Sequence, residues 1–441
     1  MQILVIAHTG VALTNVLTAS KTRLASFGFW TFSYIWFGLA PLAALITGIY
    51  PWSYRASEWT SCAAVAVIEV GLLAYSLGQV LAAPKRRASR AGAPTPLVRG
   101  LLDRLLTRRL VPSRVVLMCA LTLVVGFAFI VDQVGGISIF FRSRQAVQSG
   151  TIGQVLRSWL LSVAAFWALL GLARMPRQSR RKRLLWRCRR LLLPLVVALN
   201  VIVNNPISQP RFWVGTVMLS LLFSVRKMCR PRVFRITAAA LLAAVLFAFP
   251  YCDYFRYDDR ERVTVLLLTE QFTTNGDYDA FQQVQTGLDY AREHGYAPEN
   301  VFGALLFMVP RSVWPNKPQD TGIALAHYAG YRFVNLSAPL WIESYLWAGL
   351  PAVLITFCLL GMLGRRVDDT RNRLHDSGDT LAVLLVPAFA FYQMIFLRGS
   401  LLGIIGPLML LVAIPLLITA PGERISRSKV AASIGNAFVQ P

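Results

Sequence analysis

Arginine binds phosphate oxygens through a planar two-pronged fork and keeps its charge when half buried. Four basic sites in this chain stand at the edges of apolar stretches: Arg211, Arg256, Arg311 with Lys317, and Arg398. Arg211 and Arg398 lie in turns too short to reach far into water, and an arginine in hydrocarbon costs about 2.5–3.5 kcal/mol. Taken singly, each suits a side chain snorkelling to lipid headgroups. Taken together, they favour a shared anionic ligand. Arg311 and Lys317 belong to Pro310-Arg311-Ser312-Val313-Trp314-Pro315-Asn316-Lys317-Pro318. No helix or strand accommodates that proline spacing, so the string is a rigid turn, either a grip for phosphate or a structural corner. Arg144 closes an amphipathic stretch that runs from Gly135-Gly136 through Phe140, Phe141 and Arg142.

Proton transfer needs a second kind of residue. Glu343, one turn after Pro339, is either a carboxylate held at a wet helix end by the helix dipole or a general base beside the arginines. His327 is the other base candidate, with a plain surface role as its alternative. Glu69 sits deep in an apolar stretch with no partner evident in the sequence, which makes it a site candidate as well. Asp277-Tyr278-Asp279 matches a pattern by which sugar-nucleotide enzymes hold a metal, but helix capping by Asp279 is the simpler reading. The run Asp258-Asp259-Arg260-Glu261-Arg262 reads as a self-paired, solvated surface. The six cysteines are scattered without metal-ligand spacing, so neither a zinc site nor a disulfide framework follows.

The elements that must position these groups are membrane spans. Of 441 residues 55% are hydrophobic and 15% charged, the composition of a polytopic membrane protein. The formal net charge of +24 would suggest nucleic acid in a soluble chain. Here the basic runs at 85–114, 174–190, 226–235 and 365–373 alternate with the apolar stretches, which is the positive-inside pattern. The expected fold is therefore all-α, with about 11 transmembrane helices and one large, partly helical extracytoplasmic loop. The spans fall near 1–19, 27–49, 59–82, 115–133, 155–173, 191–203, 212–225, 236–251, 339–363, 380–397 and 400–420. This divides the chain into an N-terminal bundle over 1–251, the loop over 252–338, C-terminal spans over 339–422 and a cytoplasmic tail over 423–441. The N-terminus, without a basic leader or cleavage site, is expected outside and the C-terminus inside.

Spans 191–203 and 212–225 are shorter than the ~20 apolar residues a bilayer core needs. Either their arginines snorkel, or the turn Asn204-Asn205-Pro206-Ile207-Ser208-Gln209-Pro210 is sunk below the surface with Arg211. In the long loop, Phe281, Val284, Leu288 and Ala291 share one face of a helix expected after Asp279. Val301 to Val309 is apolar but too short to cross, and suits a segment dipping into the outer leaflet. The sequon Asn335-Leu336-Ser337 carries little meaning without a known host. No internal repeat or heptad pattern is present.

The arrangement resembles the Wzy-type oligosaccharide repeat-unit polymerases of O-antigen, capsule and exopolysaccharide assembly. The likeness covers most of the chain in topology. Locally it rests on Gly135-Gly136 leading to Arg144, the Asn-Pro turn before Arg211, and above all the string from Val309 to Pro318. Ser337-Ala338-Pro339 with Glu343 and Gly349, and Arg398-Gly399, complete it. The resemblance implies a GT-C-like, metal-independent glycosyltransferase without a cofactor. Its donor and acceptor would be undecaprenyl-pyrophosphate-linked oligosaccharides at the outer face of the plasma membrane of a bacterium. A chain-length regulator and a flippase would be its partners, with membrane lipid around it and no nucleic acid. Arginines would then stabilise the pyrophosphate leaving group in place of magnesium. An O-antigen ligase, or a non-enzymatic flippase or exporter of lipid-linked sugars, is the alternative reading.

Overall fold

The computed structural model describes residues 1–83, 97–132, 136–141, 152–176, 183–248, 251, 266–334, 336–375 and 378–421. Arg144, Arg256, the run 258–262, residue 335 of the sequon and the tail 423–441 lie outside the described residues. The rest is built from helices. In chain order they are α1 Gln2–Thr18, α2 Leu24–Phe32, α3 Ala40–Thr47, α4 Glu58–Leu81, α5 Leu97–Leu106, α6 Pro112–Asp132, α7 Ile152–Arg174, α8 Arg183–Val203 and α9 Arg211–Phe223. They continue with α10 Pro231–Phe247, α11 Leu268–Thr274, α12 Ala280–His294, α13 Glu299–Leu305, α14 Thr321–Tyr328, α15 Leu340–Leu374, α16 Leu381–Arg398 and α17 Leu401–Ile418. Among the described residues the extended pairing is a two-residue ladder, Arg109–Leu110 against Thr419–Ala420, with an isolated bridge from Arg109 to Thr380.

Among the described residues, six helices are long and apolar enough to cross a membrane: α2 continued through α3 (Leu24–Thr47), α4, α6, α15, α16 and α17. Three shorter apolar stretches are Gln2–Thr18, Trp159–Arg174 within α7, and Arg211–Phe223. The chain is thus an α-helical, multi-pass membrane protein. The expected short span 191–203 is the end of a longer helix, because α8 starts at Arg183 and runs 21 residues.

Small residues let the central helices meet at backbone distance, as packing within a bilayer requires. A Cβ on Gly78 would lie 2.0 Å from the Cys358 carbonyl oxygen, and one on Gly361 would lie 2.1 Å from that of Tyr75. These contacts lock α4 to α15. We expect Gly361→Ala to push the two helices apart, at a cost on the order of 1–3 kcal/mol for an overpacked core. The check is a fall in monodisperse, membrane-extracted protein and in its melting temperature.

Aromatic side chains fill the space beside this seam. Phe29 stacks on Tyr75 at 3.5 Å, and Trp341 packs on Phe357 at 4.1 Å. Between α2 and α3 the chain winds as a π-helix over Ser33–Leu39. The Gln2 amide donates to the carbonyls of Phe37 and Gly38 at 2.7 and 2.8 Å there.

Two polar clamps close opposite ends of the bundle. At one end Asp368 accepts from Ala25 N, Ser26 N and Ser26 Oγ, capping the start of α2. Arg371 beside it donates to the Phe223 carbonyl at 2.9 Å. At the other end lie Arg211, Arg398 and Glu343.

The long loop is folded onto the bundle. α12 is buried on every face from Ala280 to Leu288, well beyond the expected stripe. Its Gly287 sits against Ile342 of α15. Gly349, with φ +67°, breaks α15 ahead of Pro351. The break leaves the Leu346 carbonyl to accept from Ala297 N at 2.7 Å, which ties the loop to the span.

Candidate functional site

Arg211 is delivered by its asparagine turn. Asn205 Oδ1 accepts from Ile207 N and Ser208 N at 2.9 Å each, while its amide donates to the Phe140 carbonyl at 2.7 Å. Asn204 donates to the Ser162 carbonyl and accepts from the Trp213 indole at 2.9 Å. These bonds satisfy the side-chain amides of both asparagines, and Arg211 becomes the first residue of α9. A cation at a helix N-terminus opposes the helix dipole. Its guanidinium is held by the Asp277 carboxylate.

Arg398 arrives at the same carboxylate from another helix. As the last residue of α16 it has the dipole in its favour. Its Nη2 donates to the Gly276 carbonyl at 2.9 Å and Asp279 Oδ1 at 3.1 Å, and stands 3.7 Å from Asp277 Oδ1. The guanidinium also lies over the Phe212 ring of α9, 5.7 Å from its centroid. Asp277 sits in a tight turn whose backbone is fixed from both sides. Its N–H donates to Asn275 Oδ1, and its carbonyl accepts from the Trp36 indole at 2.7 Å.

Asp279 occupies the N-cap position of α12, but its carboxylate caps nothing there. It accepts instead from Ser337 Oγ at 2.6 Å, Trp52 Nε1 at 3.0 Å and Arg398. The helix-capping expectation is therefore corrected: a longer-range demand, neutralising a buried arginine, takes the carboxylate. The two aspartates and two arginines form a cluster of zero formal charge, with side chains between 1 and 19% exposed. A buried ion pair of this kind holds only while all partners are present, since one uncompensated charge costs about 3–5 kcal/mol. Asp277 and Asp279 are thus the guanidinium partners, and among the described residues no group of three metal-ligating side chains converges.

Glu343 is buried in the first turn of α15 and caps a third helix. Its Oε1 accepts from Ser400 Oγ and Leu401 N, both at 2.9 Å, at the start of α17. The Ala338 N–H donates to the Arg398 carbonyl at 3.1 Å. The turn Arg398-Gly399-Ser400 therefore carries the arginine cluster on one side and the Glu343 contact on the other.

Asp320 faces the same helix start. It caps α14 by accepting from Gly322 N at 2.9 Å, and its carboxylate stands beside Ser400 and Gly403. A Cβ at Gly403 would stand 3.1 Å from its Oδ2. Burial raises the Asp320 carboxyl above its ordinary value, and hydrogen bonding to it offsets the rise only in part. A raised carboxyl stabilises the fold fully below the unfolded value near 3.8 and loses that contribution as pH rises through the folded value. Asp320→Asn keeps an acceptor but not the charge. We expect its melting temperature, relative to the parent chain, to improve from pH 4 to pH 7.

The remaining expected residues lie apart. Lys317 Nζ donates to the carbonyls of Phe307 and Val309 at 2.7 and 3.0 Å. Arg311 donates to those of Lys317 and Pro318 at 2.7 and 3.1 Å. Both cations of the proline-rich string bond to their own loop. His327 is exposed near the end of α14, about 10 Å from Asp320 at ~1.5 Å per residue. Glu69, whose partner was not evident in the sequence, has one in His8 of α1, with Nδ1 2.7 Å from its Oε1. Reading the sequence missed Asp320, Ser400 and Trp52, and placed Ser337 in the resemblance without giving it a partner. Only Asp320 carried a local signal, an aspartate followed by Thr-Gly at a helix start.

Fold and site together define a multi-pass helical membrane protein with a charge-balanced arginine–aspartate cluster at the ends of its spans. No protein-family profile, no curated protein and no solved structure matches this chain.

Proposed function

We propose that this chain is a Wzy-type polymerase, joining undecaprenyl-pyrophosphate-linked oligosaccharide repeat units at the outer face of a bacterial plasma membrane. The observation that carries the reading is the meeting of Arg211 and Arg398, from two helices, over Asp277 and one turn from buried Glu343. Asp277 and Asp279 keep the guanidiniums oriented before substrate arrives. The incoming pyrophosphate competes for their N–H edges, and the developing negative charge of the leaving group strengthens that competition. Glu343 takes the proton of the attacking sugar hydroxyl. No metal or other cofactor enters the scheme.

Eleven spans, with the N-terminus outside and the C-terminus inside, belong to this proposal. The five beyond the six long apolar helices are α1, α7, α8, α9 and α10, and the loop over 252–338 then lies outside. Impermeant thiol labelling of cysteines introduced singly at 180 and at exposed Asn316, in a chain whose native cysteines are replaced, checks it: position 316 is expected to react in intact cells and position 180 only after lysis. The decisive experiment for the function is deletion of the gene followed by analysis of lipid-linked glycans. Loss of a polymerase leaves exported single repeat units.

One observation favours the flippase or exporter reading. His8 and Glu69 pair between α1 and α4 well inside the spans, and transporters place ionisable groups there. Under that reading the same deletion leaves no exported repeat unit.

A further inference from the structure

The proline-rich string is the most distinctive motif in the chain, yet both its cations bond to backbone carbonyls. Why a loop needs an ammonium and a guanidinium for its own carbonyls follows from where the loop sits. α17 has 18 residues, about 27 Å of helix at ~1.5 Å per residue. A bilayer core is about 30 Å thick, so α17 spans it only if nearly its whole length is in hydrocarbon. Gly406 lies five residues into α17, about 8 Å from its start. At that level the helix is touched by Phe307: a Cβ on Gly406 would stand 3.5 Å from the Phe307 ring. The segment that follows α13 is therefore well below the end of the span.

The outward face of this segment is apolar. Phe302, Leu305 and Met308 are 58, 68 and 81% exposed, and Leu306 beside them is half exposed. On α17 itself Met409 and Leu417 are exposed in the same way, as expected of a lipid-facing helix. A polar loop in water would not present such a surface, whereas one continuous with the lipid face of a span would.

We propose that residues 301–309 form a re-entrant lip immersed in the leaflet at the α17 start, with acyl-chain hydrocarbon covering Phe302, Leu305 and Met308. Non-helical backbone at that depth must have its carbonyls satisfied from within the protein. Lys317 supplies this for Phe307 and Val309. Arg311 in turn holds the carbonyls of Lys317 and Pro318, which fixes the ammonium in place. Gly303 lets the lip fold back on Pro318, since a Cβ there would stand 3.2 Å from the proline ring. The prolines add no N–H donors that would need partners in lipid. The inference rests on membrane insertion alone and is independent of the reaction proposed above.

The test uses the full chain with its native cysteines replaced, reconstituted in phosphatidylcholine–phosphatidylglycerol vesicles. A nitroxide is placed singly at Leu305→Cys, Met308→Cys, Met409→Cys on α17 and Asn316→Cys at the loop tip. Collisions with oxygen, which concentrates in hydrocarbon, are expected to exceed those with a water-soluble nickel chelate at 305, 308 and 409. The order should reverse at 316. Predominant nickel access at 305 and 308 would place the lip in water and overturn the proposal. Low access to both reagents would mean that protein covers the face, and overturns it equally. A second measurement needs no substitution: a lipid-soluble aryl diazirine should modify residues 302–308 of the unaltered chain, and labelling of α17 without them rejects the lip.

Discussion

Glu343→Gln is expected to lower glycan transfer by about 10²–10⁴-fold, the contribution of a general base, while the protein stays folded. The folding half of that expectation comes from the hydrogen bonds. Glu343 acts on the structure as an acceptor, through Oε1 from Ser400 Oγ and Leu401 N, with the Thr321 hydroxyl beside the same carboxylate. A glutamine carbonyl accepts both bonds, so α15 and α17 stay joined. What glutamine loses is the ability to take a proton. The measurement is polymerisation of purified lipid-linked repeat unit, with substrate binding followed on the same preparation. Normal turnover by Glu343→Gln would reduce the residue to a helix cap. His327→Ala is the companion variant and is expected to be active, since His327 is exposed and about two helical turns from Asp320; its inactivity beside an active Glu343→Gln would reverse the two roles.

Arg398→Lys is expected to insert normally and to lose transfer by roughly 10–100-fold, the loss of one or more charge-assisted hydrogen bonds at about 1.5–3 kcal/mol each. Lysine retains the charge that balances Asp277 and Asp279, but not the planar fork or the face that lies over Phe212. Arg398→Ala should behave differently. It leaves two buried carboxylates with Arg211 alone, and an unpaired buried charge costs about 3–5 kcal/mol. Its yield of folded protein should fall, and adding Asp279→Asn should restore yield without restoring transfer. Full polymer from both Arg398→Lys and Arg211→Lys would return these arginines to a structural role.

The contrast between these two sites shows where sequence reading reached its limit. Arg211 and Arg398 stood out because cations at the ends of apolar spans are costly, and that cost is visible in one dimension. Their partners did not. Asp277 and Asp279 are short polar residues in a polar loop, where capping, metal binding and ion pairing look alike. Asp320 and Ser400 are 80 residues apart, and only the fold of the long loop onto α17 brings them together. His8 and Glu69 are likewise on different helices, so Glu69 looked unpaired until α1 packed beside α4.

Hydropathy and the spacing of basic runs determined that this is a helical membrane protein, because a backbone in lipid must satisfy its own hydrogen bonds and helices do so locally. The proline spacing likewise determined an irregular, rigid turn between 310 and 318. Tertiary structure alone decided what the charges do. Whether a cation meets a phosphate, a carboxylate or a carbonyl depends on groups brought to within about 3 Å of it, and hydrogen-bonding geometry of that kind is set by packing between distant segments. Thus Arg398 turned to Asp279, Lys317 to the carbonyls of its own loop, and Glu343 to the first turn of a helix 57 residues away.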